Sequence, residues 1–281
     1  MYGMGWLPDY PDLRDYTPEH NTVKEIVKKA GLAEPNGQVL PVSADLRAWC
    51  SPVENQGDLG SCTAHAGVGV VEYFQRRAFG KHVDASRLFL YKTTRNLLKQ
   101  GGDTGAFLRS TMAAMVLFGV PPEEYWPYNA KKFDFEPPAF CYAFAQNYQT
   151  IQYLRLDPPD IKKDELLKTI KTYLAAGIPS IFGFTVYNSI NSVGSDGLIP
   201  FPVARERVIG GHAIAAVGYD DNLKAPRTSS AGCLLIRNSW GEEWGNKGYG
   251  WLPYDYVLKG LAEDWWCLLK AEWIDTQEFG L

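Results

Sequence analysis

Apolar residues recur at helical spacing in the first half of this chain and at strand spacing in the second. The change falls across a stretch rich in Pro and aromatics, residues 121 to 160, which reads as a crossover between two lobes. Before it, "SCTAHAGVGVVEYFQRRAFG", "SRLFLYKTTRNLLK" and "AFLRSTMAAMVLFG" predict helices, the first with Ser61 as N-cap. Beyond it, "IQYLRL", "IPSIFGFTVY", "HAIAAVGY", "CLLIRNSW" and "GYGWLPY" predict strands, and "DIKKDELLKTIKTYLAAG" an amphipathic helix. Helices first and strands later imply an α+β fold with a helical lobe and a sheet lobe. Gly67 and Gly69 each cost the first helix roughly 1 kcal/mol relative to alanine. That cost makes sense if another backbone packs closely there.

With 46% apolar and 21% charged residues the chain is globular, and 281 residues suffice for two lobes. A net charge of −4 gives no basic footprint for nucleic acid or an anionic membrane, so a small or peptidic partner is expected. No apolar run approaches bilayer length, and "MYGMGWLPDYPDLRD" has no signal-peptide pattern, so the expected localisation is cytoplasmic or by non-classical export. Five cysteines are an odd number without metal-type spacing; no metal or cofactor is expected, and a reducing compartment is favoured. Residues 1 to 20 are aromatic and proline-rich. "NTVKEIVKKAGL" follows as a short amphipathic helix with Val23, Ile26, Val27 and Ala30 on one face, Asn21 or Thr22 as N-cap and Gly31 past its end. "AEPNGQ" is then a linker-like turn.

The strands "GGHAIAAVGYDD" and "GCLLIRNSWG", joined by "DDNLKAPRTSSA", suggest an antiparallel hairpin. If Val217 faces Cys233, then His212 faces Asn238, within about 5.5 Å by Cα. Cys62 stands where a helix begins, and a helix N-terminus and an imidazolium both favour a thiolate over a thiol of pKa about 8.5. Together Cys62 as nucleophile, His212 as acid and base and Asn238 as orienter would perform acyl transfer. Gln56, six residues before Cys62, offers a side-chain amide to the oxyanion, and the Cys62 backbone N–H offers a second donor. His65, three positions after Cys62, is expected to face the core or a groove. Cys50, Cys141, Cys233 and Cys267 are expected to be packed or surface thiols.

These stretches resemble the papain-like cysteine peptidases: "PVENQGDLGSC", "GHAIAAVGYDD", "LLIRNSWGEEWGNKGYG" and the mature-like start "VSADLRAWCSPVENQG". The order Cys, His, Asn and the 150-residue gap from Cys62 to His212 also match. The resemblance covers roughly residues 41 to 281 and implies a two-lobe fold, a helical lobe and an antiparallel β-barrel-like lobe with the cleft between. It implies Cys62, His212, Asn238 and Gln56 in the roles given above, with Trp240 shielding the His212–Asn238 bond. It further places Gly105, in the glycine loop "GGDTGAF", as the backbone partner of the substrate, Phe107 near the S2 pocket and Gly183 on its wall, leaving room for a bulky P2 side chain. Gly210 and Gly211 either make a tight turn or keep the cleft open.

Two positions depart from the family. Leu59 replaces the usual cysteine three before the nucleophile, so the family disulfide to the glycine loop cannot form, and Thr63 replaces the usual aromatic. The expected organisation is an N-terminal segment, 1–40, lying over the cleft, a lobe with the nucleophile, 41–145, and a β-rich lobe with His and Asn, 146–281, in a monomer acting on peptide or protein. Transfer to an amine or thiol, as in transglutaminase- or acyltransferase-like enzymes, and a catalytically silent peptide-binding module are the rival readings.

Overall fold

The computed structural model describes residues 2–29, 39–148 and 152–269. α1 (Asn21–Lys29) already includes Asn21 as a helical residue, and its first N–H bonds go to His20 O, so the cap stands one residue before the expected Asn21 or Thr22; Val23 is buried, while Ala30, Gly31, the "AEPNGQ" turn and the side chains of Ile26 and Val27 lie outside the described residues. The helical lobe is built on α2 (Cys62–Phe79), α3 (Arg87–Leu97) and α4 (Leu108–Leu117). Ser86 caps α3 by accepting the Phe89 N–H at 3.1 Å. Ser61 precedes α2 but does not cap it; its hydroxyl instead meets the Tyr128 hydroxyl at 2.7 Å. Gly80, with φ of 71°, ends α2 by returning its N–H to Arg76 O. The stretch read as a plain crossover contains a further helix, α5 (Ala139–Ala145), whose Cys141 and Ala145 pack against Phe89.

The second lobe is one antiparallel sheet of seven strands: β1 (Ser43–Asp45), β2 (Gln152–Arg155), β3 (Ser180–Tyr187), β4 (Val208–Asp220), β5 (Cys233–Arg237), β6 (Tyr249–Pro253) and β7 (Ala262–Leu269). Its order is β2-β7-β3-β4-β5-β6, with β1 added to the end of β4. Among the described residues the sheet is not closed into a full barrel, and the chain has the expected α+β division into a helical lobe and an antiparallel sheet lobe. The outer edge of β6 is covered by the connection from β3 to β4, where Ile199 donates to Trp251 O and Trp251 to Gly197 O. With that edge satisfied, closure onto β2 is not needed. α6 (Lys163–Ala175) and the short α7 (Asp255–Leu258) pack on this lobe.

The hairpin exists, but its register differs from the expected one. Asp220 pairs with Cys233 and Ala215 with Arg237, with an irregularity between Ala216 and Gly218. A Cβ on Gly218 would lie 2.3 Å from Ala44 O, so the approach of β1 requires glycine there. The glycines of α2 also find a different cause. A Cβ on Gly69 would lie 1.9 Å from the Arg237 guanidinium, so what crowds it is a buried side chain and not a backbone.

Candidate active site

Cys62 is the first residue of α2, fully buried where that helix packs against β4. Burial weighs most against its thiolate, which the backbone amides of Ala213, Gly5, Thr63 and Cys62 itself favour. His212, immediately before Ala213 on β4, has its ring against Trp240, centroids 4.4 Å apart and 21° from parallel. Its Nε2 lies 2.8 Å from Asn238 Oδ1. That oxygen also accepts the Ser239 N–H at 2.8 Å, which fixes the amide's orientation. Nε2 therefore carries the proton, and Nδ1, which has no hydrogen-bond partner among the described residues, presents its lone pair. The Nε2–Oδ1 bond forms despite the shifted register, because two side chains span what the backbone pairing does not supply.

Gln56 is anchored at every polar atom. Its N–H donates to Ser239 O at 2.9 Å, its carbonyl accepts from Tyr128 Oη at 2.9 Å, and its Oε1 accepts from Ser239 Oγ at 2.5 Å. Nε2 must then point away from Ser239, giving one hydrogen to Leu59 O at 2.7 Å and the other to Gly3 O at 3.1 Å. A Ser239→Ala variant frees Oε1; kcat is expected to fall about tenfold with KM little changed, measured by steady-state peptide hydrolysis.

The cleft is filled by the chain's own N-terminus. Tyr2 stacks on Trp240 at 4.6 Å, and Trp240 Nε1 donates to Gly3 O at 3.2 Å. Trp6 N–H donates to Gly211 O at 3.2 Å, Ala106 N–H to Gly5 O at 2.7 Å and Leu7 N–H to Ala106 O at 3.1 Å. The bridging residue of the glycine loop is thus Ala106, one beyond Gly105, and the pairing is parallel. Gly105, with φ of 72°, permits the close pass, since a Cβ there would lie 2.2 Å from Gly5 O. The Trp6 ring lies flat on Gly183, where a Cβ would fall 1.8 Å from it, and beside Gly211. At the far end of that pocket Trp6 Nε1 donates to Asp264 Oδ2 at 3.0 Å. Phe107 is half-buried beside the bridge, just before α4.

Burial sets the resting ionisation of the site. Desolvation raises the Cys62 thiol from 9.0 to about 11 and lowers the His212 imidazole from 6.5 to about 4. With the segment in place both groups are neutral near pH 7. Asp264 is likewise raised by burial, to about 6, against the opposing hydrogen bond from Trp6 and the nearby Arg155. His65 is held near 3 by burial and sits against Ser61 O, 3.1 Å from Nδ1, within the helical lobe.

All five cysteines are free and buried. Where the family disulfide would tie the nucleophile loop to the glycine loop, Asp103 does so by hydrogen bonds. Its carboxylate accepts the Gly60 N–H at 3.0 Å and the Tyr91 hydroxyl at 2.5 Å, and Tyr91 Oη accepts the Gly105 N–H at 3.1 Å.

A buried thiol at the start of α2, packed on the strand that carries an imidazole held by an asparagine, with a glutamine amide on the neighbouring loop, is an arrangement suited to a cysteine peptidase. Residues 40–263 match the papain family cysteine proteases, and the chain belongs to that family. It is 32% identical over 280 residues, 95% of this chain and 86% of the relative, to an uncharacterized peptidase C1-like protein of Acanthamoeba polyphaga mimivirus. It is 27% identical to human cathepsin L2, spanning 75% of this chain and 60% of that protein. Among solved structures it is similar to xylellain, a cysteine protease from Xylella fastidiosa, with a TM-score of 0.73, 32% identity and coverage of 95% of this chain and 96% of the other.

The structure brings Cys62, His212, Asn238 and Gln56 to one end of the cleft, and Trp240, Gly211, Gly183 and Gly105 along the groove. Sequence reasoning did not single out Gly3, Gly5, Trp6, Ala106, Ser239 or Asp264. The alternate glycines at 3 and 5, set among aromatics, were the available signal.

Proposed function

We propose that the chain is a cysteine peptidase held closed by residues 2–16, with Cys62, His212, Asn238 and Gln56 as the catalytic set. The observation that carries this reading is the peptide backbone already threaded through the cleft, its Gly3 carbonyl on Gln56 Nε2 and its Gly5 carbonyl on the Ala106 N–H. In the open enzyme His212 Nδ1 takes the Cys62 proton and the thiolate attacks the scissile carbonyl carbon. The oxyanion is held by Gln56 Nε2–H and the Cys62 N–H. His212 returns its proton to the leaving amine as the C–N bond breaks, leaving a thioester. A water, deprotonated by His212, then attacks that thioester and the acid leaves with Cys62 reprotonated.

The segment's direction keeps it from being cut. A substrate places its N-terminal side in the S2 pocket and its C-terminal side at Trp240. Here Trp6 fills S2 while Tyr2, nearer the N-terminus, sits on Trp240. The chain runs backwards, and the Gly5 carbonyl is turned to the Ala106 N–H at 2.7 Å.

Alkylation by iodoacetamide tests the closed state. With the thiol at about 11 and the imidazole at about 4, the full-length protein should react slowly at pH 7, its rate still climbing beyond pH 9. Adding Gly5→Ala, which forces the segment off, should give a rate already level between pH 6 and 8, because the rehydrated pair ionises as thiolate and imidazolium. Identical profiles for the two proteins would refute the closed state.

A further inference from the structure

We propose that Arg109 is a cationic subsite for substrate, receiving an acidic side chain two or three residues before the one that enters the Trp6 pocket. The inference rests on the reading that the N-terminal segment vacates the cleft.

Arg109, in the first turn of α4, donates from Nε to Asp15 Oδ1 and from Nη2 to Asp15 Oδ2, both at 2.8 Å. Nη1 pairs with Asp9, and Nη2 also donates to Tyr10 O at 2.8 Å. Both carboxylates belong to the segment. Among the described residues no carboxylate of the catalytic lobes pairs with Arg109. The nearby anions Asp157 and Asp264 are already engaged by Arg155, at 2.9 and 3.3 Å. When the segment leaves, Arg155 keeps two counterions and Arg109 keeps none. It remains at the rim with its guanidinium 5.7 Å from the Trp266 ring, partly shielded from water and on a rigid helix.

The spacing fits a substrate. Asp9 lies three positions beyond Trp6, about 10 Å of extended chain. A substrate running in the productive direction lays the residues preceding its P2 side chain along the path that Leu7, Pro8 and Asp9 now occupy. A glutamate there meets the guanidinium through the bidentate geometry that Asp15 now uses.

The test compares fluorogenic peptides of the full-length protein's preferred sequence carrying Glu, Gln or Lys at these positions, with one aromatic P2 residue throughout. The ratio of kcat/KM between peptides cancels the fraction of molecules that are open. Glu should exceed Gln about five- to tenfold at low ionic strength, with Lys lowest, and the advantage should shrink to about twofold in 0.5 M salt. Arg109→Gln should bring the ratios to about one, and Arg109→Lys should retain part of the preference. Equal ratios in the unaltered chain, or a preference surviving Arg109→Gln, overturn the proposal. If turnover is too slow to read, the full chain with Gly5→Ala supplies the same ratios. Failure of the closed-segment reading has a separate signature: total turnover then stays the same in Arg109→Gln, whatever the ratios.

Discussion

Cys62→Ala should lower peptide turnover by about 10⁴-fold or more and abolish labelling by an epoxysuccinyl peptide, under reducing conditions that otherwise keep the thiol available. The size of the effect follows from the chemistry: without the thiol, the His212 base and the oxyanion donors have no thiolate to activate or serve. His212→Ala should cost a similar factor, and the double variant little more, because the pair works as a unit. Asn238→Ala removes the acceptor that fixes the imidazole tautomer at 2.8 Å, so kcat should fall while KM stays close to its starting value. Labelling of Cys62→Ala at the unaltered rate would show that another thiol is the target and would sink the assignment.

Gly5→Ala should raise kcat/KM of the full-length protein about tenfold or more. A Cβ at residue 5 would stand 2.0 Å from Gly60 O and one at residue 3 would stand 2.2 Å from Leu59 O; both obstacles are backbone that also shapes the nucleophile loop. The segment has to yield instead. Lifting it exposes Trp6, whose burial contributes about 2 kcal/mol, and strains the ion pairs to Arg109. Gly3→Ala should act in the same direction. Thermal unfolding, followed alongside, should stay cooperative and its midpoint fall by about 4–8 °C, as the loss of Trp6 burial requires. If the unaltered chain already turns over peptides as fast as these variants, the segment does not restrain the enzyme.

The sequence conveyed the two-lobe architecture because the apolar period changes from helix to strand and the change is coarse enough to survive boundary errors. Cys62, His212, Asn238 and Gln56 could be chosen because acyl transfer needs those groups in that order. The hairpin register that the sequence suggests for bringing them together is displaced by the irregularity near Gly218; that bulge depends on β1, whose Asp45 pairs with Gly218 from far back in the chain, which no local pattern conveys. β7 was missed because "AEDWW" opens with charges and Asp264 adopts a φ of 62°, breaking the alternation. Trp6 and Asp264 are 258 residues apart, and the hydrogen bond between them exists only once both lobes have formed. A need for some surface was legible in the first twenty residues; which surface, and in which direction the chain would cross it, was not.

The Asp103 bridge carries a practical consequence for the enzyme's chemistry. A thiol nucleophile survives only while something keeps it from oxidising, and a scaffold pinned by a disulfide is weakened by that same protection. Here the two loops flanking the nucleophile are joined by a carboxylate, a phenol and two amides, none of which exchanges electrons. The conditions that preserve the reactive sulfur and those that preserve the groove are therefore the same, and the redox poise can drift a long way toward reduction without the cleft changing shape.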